Sequence, residues 1–289
     1  MLTFNCTQAA ADFFSTTQKG KKISPLEPAP HKTIAESIAG SIAESNAPLQ
    51  WQWLVHAIKV KGKPVLVVMD YQTRFSITLS AIKKGDDMAF LNSVEHHLRV
   101  HVHETMSAVN LDLQAIESSF ERYSHQHNNC AFYQRGDRSA QAHINDVVWH
   151  FRRWVDDLGD VPTGVDLIGH DVFANQLLRK RKAEKDYFYP QREFLHAWLR
   201  SYGEHNIAQA DACIDMLQAK ARADFAARHP ELVHLRSGRL EPDHSEPEHA
   251  EPGHSKSMQP NESTESPGVT GTHTARSNNV ISLDACRKK

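Results

Sequence analysis

The run Val65-Leu66-Val67-Val68-Met69 is unbroken apolar sequence set between two segments whose apolar residues alternate. Before it, Gln50 to Val60 places Trp51, Trp53 and Val55 on one face; after it, Phe75, Ile77 and Leu79 alternate with Arg74, Ser76 and Thr78. Alternation is the signature of a strand with one face in the core, and a short continuous run is that of a strand buried on both. The Lys61-Gly62-Lys63-Pro64 turn joins the first two segments, so residues 50–79 read as a three-stranded meander. Leu2, Phe4 and Cys6 alternate with Thr3, Asn5 and Thr7 in the same manner, adding a strand at residues 1–7. These four strands are expected to form one small antiparallel sheet.

Beyond Lys84-Gly85-Asp86 the period changes to that of a helix. Candidate helices run over 88–109, 111–127, 139–158, 171–185, 191–202 and 208–228, and a short one carries Ala9, Ala10, Phe13 and Phe14. The fold class is α+β, with the N-terminal sheet packed against a mainly helical middle region. Residues 1–160 form the α+β domain, 161–235 a helical extension packed on it, and 236–289 a tail. In the tail Glu-Pro recurs at 241, 246 and 251, with His244, His249 and His254 in the same register. Pro-rich sequence almost without large apolar side chains cannot bury a core, so this tail is expected to be disordered. The apolar patch Asn279 to Leu283 is its one exception.

Composition excludes several classes. The 33 Lys+Arg nearly balance 35 Asp+Glu, for a formal charge of −2, so no global bias points to a polyanion or polycation partner. No stretch approaches the roughly 18 apolar residues of a membrane span. The four cysteines are too dispersed for a CxxC knuckle, and the first residues lack the basic and apolar regions of a signal peptide. The cytoplasm is the expected compartment.

The opening Met1-Leu2-Thr3-Phe4-Asn5-Cys6-Thr7, the meander, and Arg135-Gly136-Asp137-Arg138-Ser139 running into Ile144-Asn145-Asp146 resemble an uncharacterised bacterial domain family, DUF6933. In that family a strand starting at the first methionine is followed by a hairpin and an N/D-R-S-x-x-G-x-x-N-D segment entering a helix. Here Ala142 or His143 stands at the glycine position, a departure from the pattern. The resemblance covers roughly residues 1–160. It implies the architecture and a prokaryotic protein of the kind carried on plasmids and other mobile elements, and it implies no activity.

Three features could carry chemistry. The turn before the 139–158 helix offers Arg135, Arg138 and Ser139, with Asn145 and Asp146 further along, where first-turn amides and the helix dipole favour a phosphate or other anion. Its plainer reading is a capped loop in which Asp137 pairs with an arginine. The basic run Arg179, Lys180, Arg181, Lys182 and Lys185, followed by Tyr187, Phe188 and Tyr189, could hold phosphates and stack on bases, with Arg152, Arg153 and Trp149 extending the patch. The competing reading is a solvated helix end.

The third feature is histidine, 19 of 289 residues. Two groups have helical spacing that could present ligands to a divalent metal: His143, Asp146 and His150, and His97, His101 and Glu104. Ordinary Asp–His pairing and a histidine-rich helix surface account for the same spacings. No Walker loop, GxGxxG, GxSxG, kinase set or HExxH is present, and no catalytic residue is assigned. The expected function is therefore a nucleic-acid- or protein-binding regulatory module of a mobile-element, plasmid or defence-type locus. The alternative is a metal-dependent nuclease or phosphoesterase; a divalent metal is the only cofactor in view.

Overall fold

The computed structural model describes residues 1–43, 51–181, 185–229 and 281–282. The strands are β1 (Leu2–Cys6), β2 (Thr16–Gln18), β3 (Lys21–Ile23), β4 (Leu26–Glu27), β5 (Trp51–Val60), β6 (Lys63–Asp70), β7 (Ser76–Ser80), β8 (Asn129–Gln134) and β9 (Ile281–Ser282). The helices are α1 (Gln8–Phe14), α2 (Ile34–Ala43), α3 (Asp87–Ala108), α4 (Leu113–Gln126), α5 (Arg138–Leu158), α6 (Val165–Asn175), α7 (Pro190–Tyr202) and α8 (Ile207–Arg228). The described chain up to Arg222 forms one compact unit. The Glu/Pro/His tail lies outside the described residues except for Ile281–Ser282, which pair antiparallel with Asn129 and Cys130 of β8.

The main sheet runs β4-β8-β1-β5-β6-β7, with β9 beside β8. The meander is as expected: β5-β6-β7 are antiparallel, and β5 and β6 are joined by the two-residue turn Lys61-Gly62, both at positive φ. Paired left-handed residues give a hairpin turn whose twist matches that of its strands. The sheet as a whole is mixed rather than antiparallel, because β1 pairs parallel with both β5 and β8. Alternation in a sequence reports which face of a strand is buried and is silent on strand direction.

Val65 to Met69 do what their unbroken apolarity requires. Leu66 and Val68 enter one core with Leu2, Phe4, Trp53, Phe90, Leu98 and Trp198, whereas Val65, Val67 and Met69 enter cores on the opposite face with Ile144, Val147 and Phe151. The sheet therefore lies between two helical layers, α1, α3, α4 and α7 on one side and α2, α5 and α6 on the other. α3 starts where Gly85, at φ +79°, donates its amide to Phe13 O at 3.0 Å; a Cβ there would stand 2.3 Å from Thr16 Cγ2. Only glycine satisfies both conditions.

One expected helix is displaced. Residues 171–185 are not a single helix: α6 ends at Asn175, and the chain beyond turns back so that Arg179 and Phe188 exchange both backbone hydrogen bonds at 2.9 Å. The edge strand β7 faces α6. Asn175 accepts from Ser76 N–H at 2.7 Å and donates to Ser76 O at 2.7 Å, so its amide completes the ladder as a neighbouring strand would. One helical turn earlier, Asp171 Oδ1 accepts from Thr78 N–H at 2.9 Å; Ser80 Oγ donates to Pro162 O at 2.8 Å. An exposed strand edge is thus closed by helix side chains.

A polar thread crosses the other core. His127 Nδ1 lies 3.2 Å from the Met1 amine, its Nε2 lies 2.6 Å from the Tyr202 hydroxyl, and that hydroxyl accepts from the Trp51 indole N–H. Burial, reinforced by the Met1 ammonium, pushes the His127 imidazole down to about 3. Between pH ~6.5 and ~3 an unfolded chain takes up a proton that the folded chain refuses, so stability falls as pH falls through that window. Thermal melts should show Tm dropping from pH 6.5 towards 4, with the slope reduced in His127→Gln.

Candidate functional site

Arg135 is consumed by the fold. From the end of β8 its Nε donates to Asn5 Oδ1 at 2.8 Å, Nη1 to Lys32 O at 2.7 Å and Nη2 to Gln52 Oε1 at 3.2 Å. The guanidinium thereby joins β8, β1, β5 and the segment entering α2. The N-cap of α5 is Asp137, which accepts from Ala140 N–H at 2.9 Å. Because its carboxylate already takes a first-turn amide, any anion here would be held by side chains rather than by the helix end. Arg138 and Ser139 are exposed on that first turn, and Asn145, also exposed, accepts from Gln141 at 3.0 Å.

The basic run folds onto the same helix. Arg179 is buried, donating to His143 O and Ala174 O at 3.3 Å each, with Asp146 4.0 Å away. Burial lowers its guanidinium to about 10 despite Asp146. Arg74, at positive φ and only 2% exposed, approaches from the sheet; it donates to Ser139 Oγ at 3.1 Å and to Tyr71 O. Among the described residues Arg74 makes no ion pair. Arg74, Ser139, His143 and Arg179 thus lie along one edge of α5, and Ser139 and His143 are one turn apart. Lys180 is exposed, with its ammonium over the Tyr187 ring; Arg181 stacks on Phe188 and reaches Glu193 at 3.5 Å. Lys182 lies outside the described residues.

On the solvent side of α5, Trp149 is 54% exposed and carries Arg153 over its ring. Trp149, Asp146, His150, Leu177, Leu178 and Arg179 line a cleft of about 280 Å³. Two segments that the sequence separates by about thirty residues therefore border one depression.

The structure does not gather His143, Asp146 and His150 around one point. His143 Nε2 meets Lys180 O at 3.2 Å, Asp146 turns towards Arg179, and His150 packs against Trp149 and Phe173.

The α3 row survives in altered form. His97 and His101 are buried, one turn apart, and face α6, whereas Glu104 is exposed and takes no part. The third member is Asp171, fully buried: Oδ2 lies 3.2 Å from His97 Nδ1 and 3.6 Å from His101 Nε2, and Oδ1 lies 3.5 Å from His170 Nδ1. Burial opposes ionisation of this carboxyl. The imidazoles of His101, His170 and His97 gathered around it outweigh burial and hold the group below the ordinary carboxylate range. Leu167, His170, Asp171 and Ala174 fall at i, i+3, i+4 and i+7, so a His-Asp pair on the apolar face of a helix was the available signal. The expected helix over 171–185 begins six residues after α6, which starts at Val165, and so leaves His170 outside it.

A family model described as "Domain of unknown function (DUF6933)" matches residues 3–193. The chain belongs to this family. The match extends past residue 160 through α6 and into α7, so the helix carrying Asp171 and the segment carrying Arg179 are part of the DUF6933 domain. No curated protein and no solved structure matches the chain. No helix among the described residues is long and apolar enough to cross a membrane.

Asp171→Ala would leave the buried Thr78 amide unpaired and should destabilise the domain by roughly 1–3 kcal/mol or more. Glu104→Ala, on the exposed side of α3, should stay within about 0.5 kcal/mol of the parent. Urea unfolding followed by circular dichroism distinguishes them; equal stability of the two variants would mean that Asp171 does not hold the β7 edge.

Proposed function

We propose that this DUF6933 protein is a regulatory module that binds single-stranded nucleic acid along the face shared by α5 and residues 178–189. The observation that carries this reading is the cleft between Trp149 and Leu178–Arg179, flanked by exposed cations and aromatics of both segments. Arg152 is exposed to meet phosphates, and Arg153 and Lys180, which rest over the exposed Trp149 and Tyr187 rings, can turn to phosphates as bases stack on those rings. Such a combination of cations and exposed rings is what sequence-tolerant single-strand binding requires. Asp146 inside the cleft repels phosphate, so bases are assigned to the cleft and the backbone to its rim. Arg138 and Ser139 extend the rim towards the start of α5.

Arg135 and Arg179 are assigned structural roles, since their guanidinium groups are spent within the fold. Arg74 is the remaining guanidinium on this edge: removed from water without a carboxylate at ion-pair distance, it adds positive potential beneath Ser139. The hydrolase alternative needs a metal with an open coordination position beside the substrate cleft. The residues bordering this cleft offer no such set.

Fluorescence anisotropy with a labelled single-stranded oligonucleotide, repeated over a salt series, tests the proposal. The Arg153→Ala, Lys180→Ala double variant should lower the log–log salt slope by about 1.4, at ~0.7 per phosphate contact. Trp149→Ala should weaken binding by roughly 1–3 kcal/mol. Affinity indifferent to salt and to these three substitutions would refute the interface.

A further inference from the structure

His97, His101 and Asp171 have a geometry that hydrogen bonding alone does not explain. Only one of the two short separations, the 3.2 Å from His97 Nδ1 to Asp171 Oδ2, is a hydrogen-bond distance. His101 Nε2, 3.6 Å from the same oxygen, is buried and has no hydrogen-bond partner among the described residues. A buried ring nitrogen left in that state is costly, whether it carries a proton or a lone pair. One nitrogen of each imidazole and one Asp171 oxygen lie within 4.8 Å of one another. For a tetrahedral ion with bonds of about 2.0–2.1 Å, ligand atoms stand roughly 3.3–3.4 Å apart, and the two measured separations bracket that value.

The surroundings orient these donors. His97 and His101 project from one face of α3 at i, i+4. Thr78 N–H holds Asp171 Oδ1, which leaves Oδ2 directed at both imidazoles. The Phe75 and His101 rings pack perpendicular to one another, their centroids 5.4 Å apart, which restrains the plane of the imidazole. Partners of this kind set the orientation of metal ligands in proteins. Two imidazoles and one carboxylate suit a first-row transition ion such as Zn²⁺ rather than the all-oxygen preference of Mg²⁺ or Ca²⁺.

We propose that His97 Nδ1, His101 Nε2 and Asp171 Oδ2 bind one divalent cation of the zinc class, which locks α6 and the β7 edge to α3. All three ligands are buried, so the ion is assigned a structural role, with a water completing the fourth position that three protein ligands leave. The proposal is independent of nucleic-acid binding at α5.

The test uses the full chain, produced without a tag in medium supplemented with Zn²⁺ or Co²⁺ so that metal is present as the protein folds. One equivalent of metal should remain after gel filtration. Tm should stand roughly 5–10 °C above that of metal-free protein when free metal is about a hundred-fold above Kd. His101→Gln should lose the equivalent while His96→Gln, exposed on the same helix, keeps it. Asp171→Asn, which retains an acceptor for the Thr78 amide, serves as second variant where His101→Gln does not fold. Replacing His244, His249 and His254 together should leave the equivalent in place. Metal-free protein from supplemented medium would overturn the proposal. So would an equivalent that survives both ligand substitutions, or one that disappears with the tail histidines.

Discussion

The free edge of β7 is the constraint around which the described fold is organised. A strand edge presents unpaired N–H and C=O groups, and among the described residues no further strand covers them. Asn175 and Asp171, one turn apart on α6, supply the missing acceptors and donor at Ser76 and Thr78. That requirement brings a carboxylate into the interior. A buried carboxylate in turn demands partners, which α3 provides as His97 and His101 and α6 itself as His170. The histidines of the interior are thus a consequence of how a sheet edge was finished.

The same placement of α6 shapes the outer surface. Once α6 ends at Asn175 the chain must leave the β7 edge, and it does so across α5, where Arg179 is fixed by the carbonyls of His143 and Ala174. The Arg179–Phe188 bridge then holds Lys180 and Tyr187 together, with the ammonium over the ring. The interior cluster and the exterior cleft lie on opposite sides of one helix. His150 and Phe173 pack together on the outer side, and Asp171 meets α3 on the inner.

Much of the architecture was legible because period and burial are coupled locally. Val65 to Met69 have the pattern of a strand covered twice, and all five are buried; of the helical stripe Ile144, Val147, Val148, Phe151, Trp154, Val155 and Leu158, four are buried, Val148 and Trp154 are half-buried and Leu158 is exposed. The individual sites were legible in part. His97 and His101 stood out by helical spacing, but their carboxylate is seventy residues away in sequence, and the nearby Glu104 satisfied the same spacing while pointing to solvent. Arg135 read as an anion ligand from the company of Arg138 and Ser139. Its real partners, Asn5, Lys32 and Gln52, lie on elements that local pattern does not connect.

By itself the sequence determined the α+β class, the β5-β6-β7 meander, the helical middle region and the membership of a DUF6933-like family. Each of these depends on side-chain alternation, caps and turns within a few residues of one another. Only the tertiary structure decided strand direction beside β1, the pairing of α6 with the β7 edge, and which charged groups became buried. Those outcomes rest on free energies of desolvation and hydrogen-bond completion between segments far apart in the chain. A residue's type states what it would need if buried, but the packing decides whether it is buried and what meets it there.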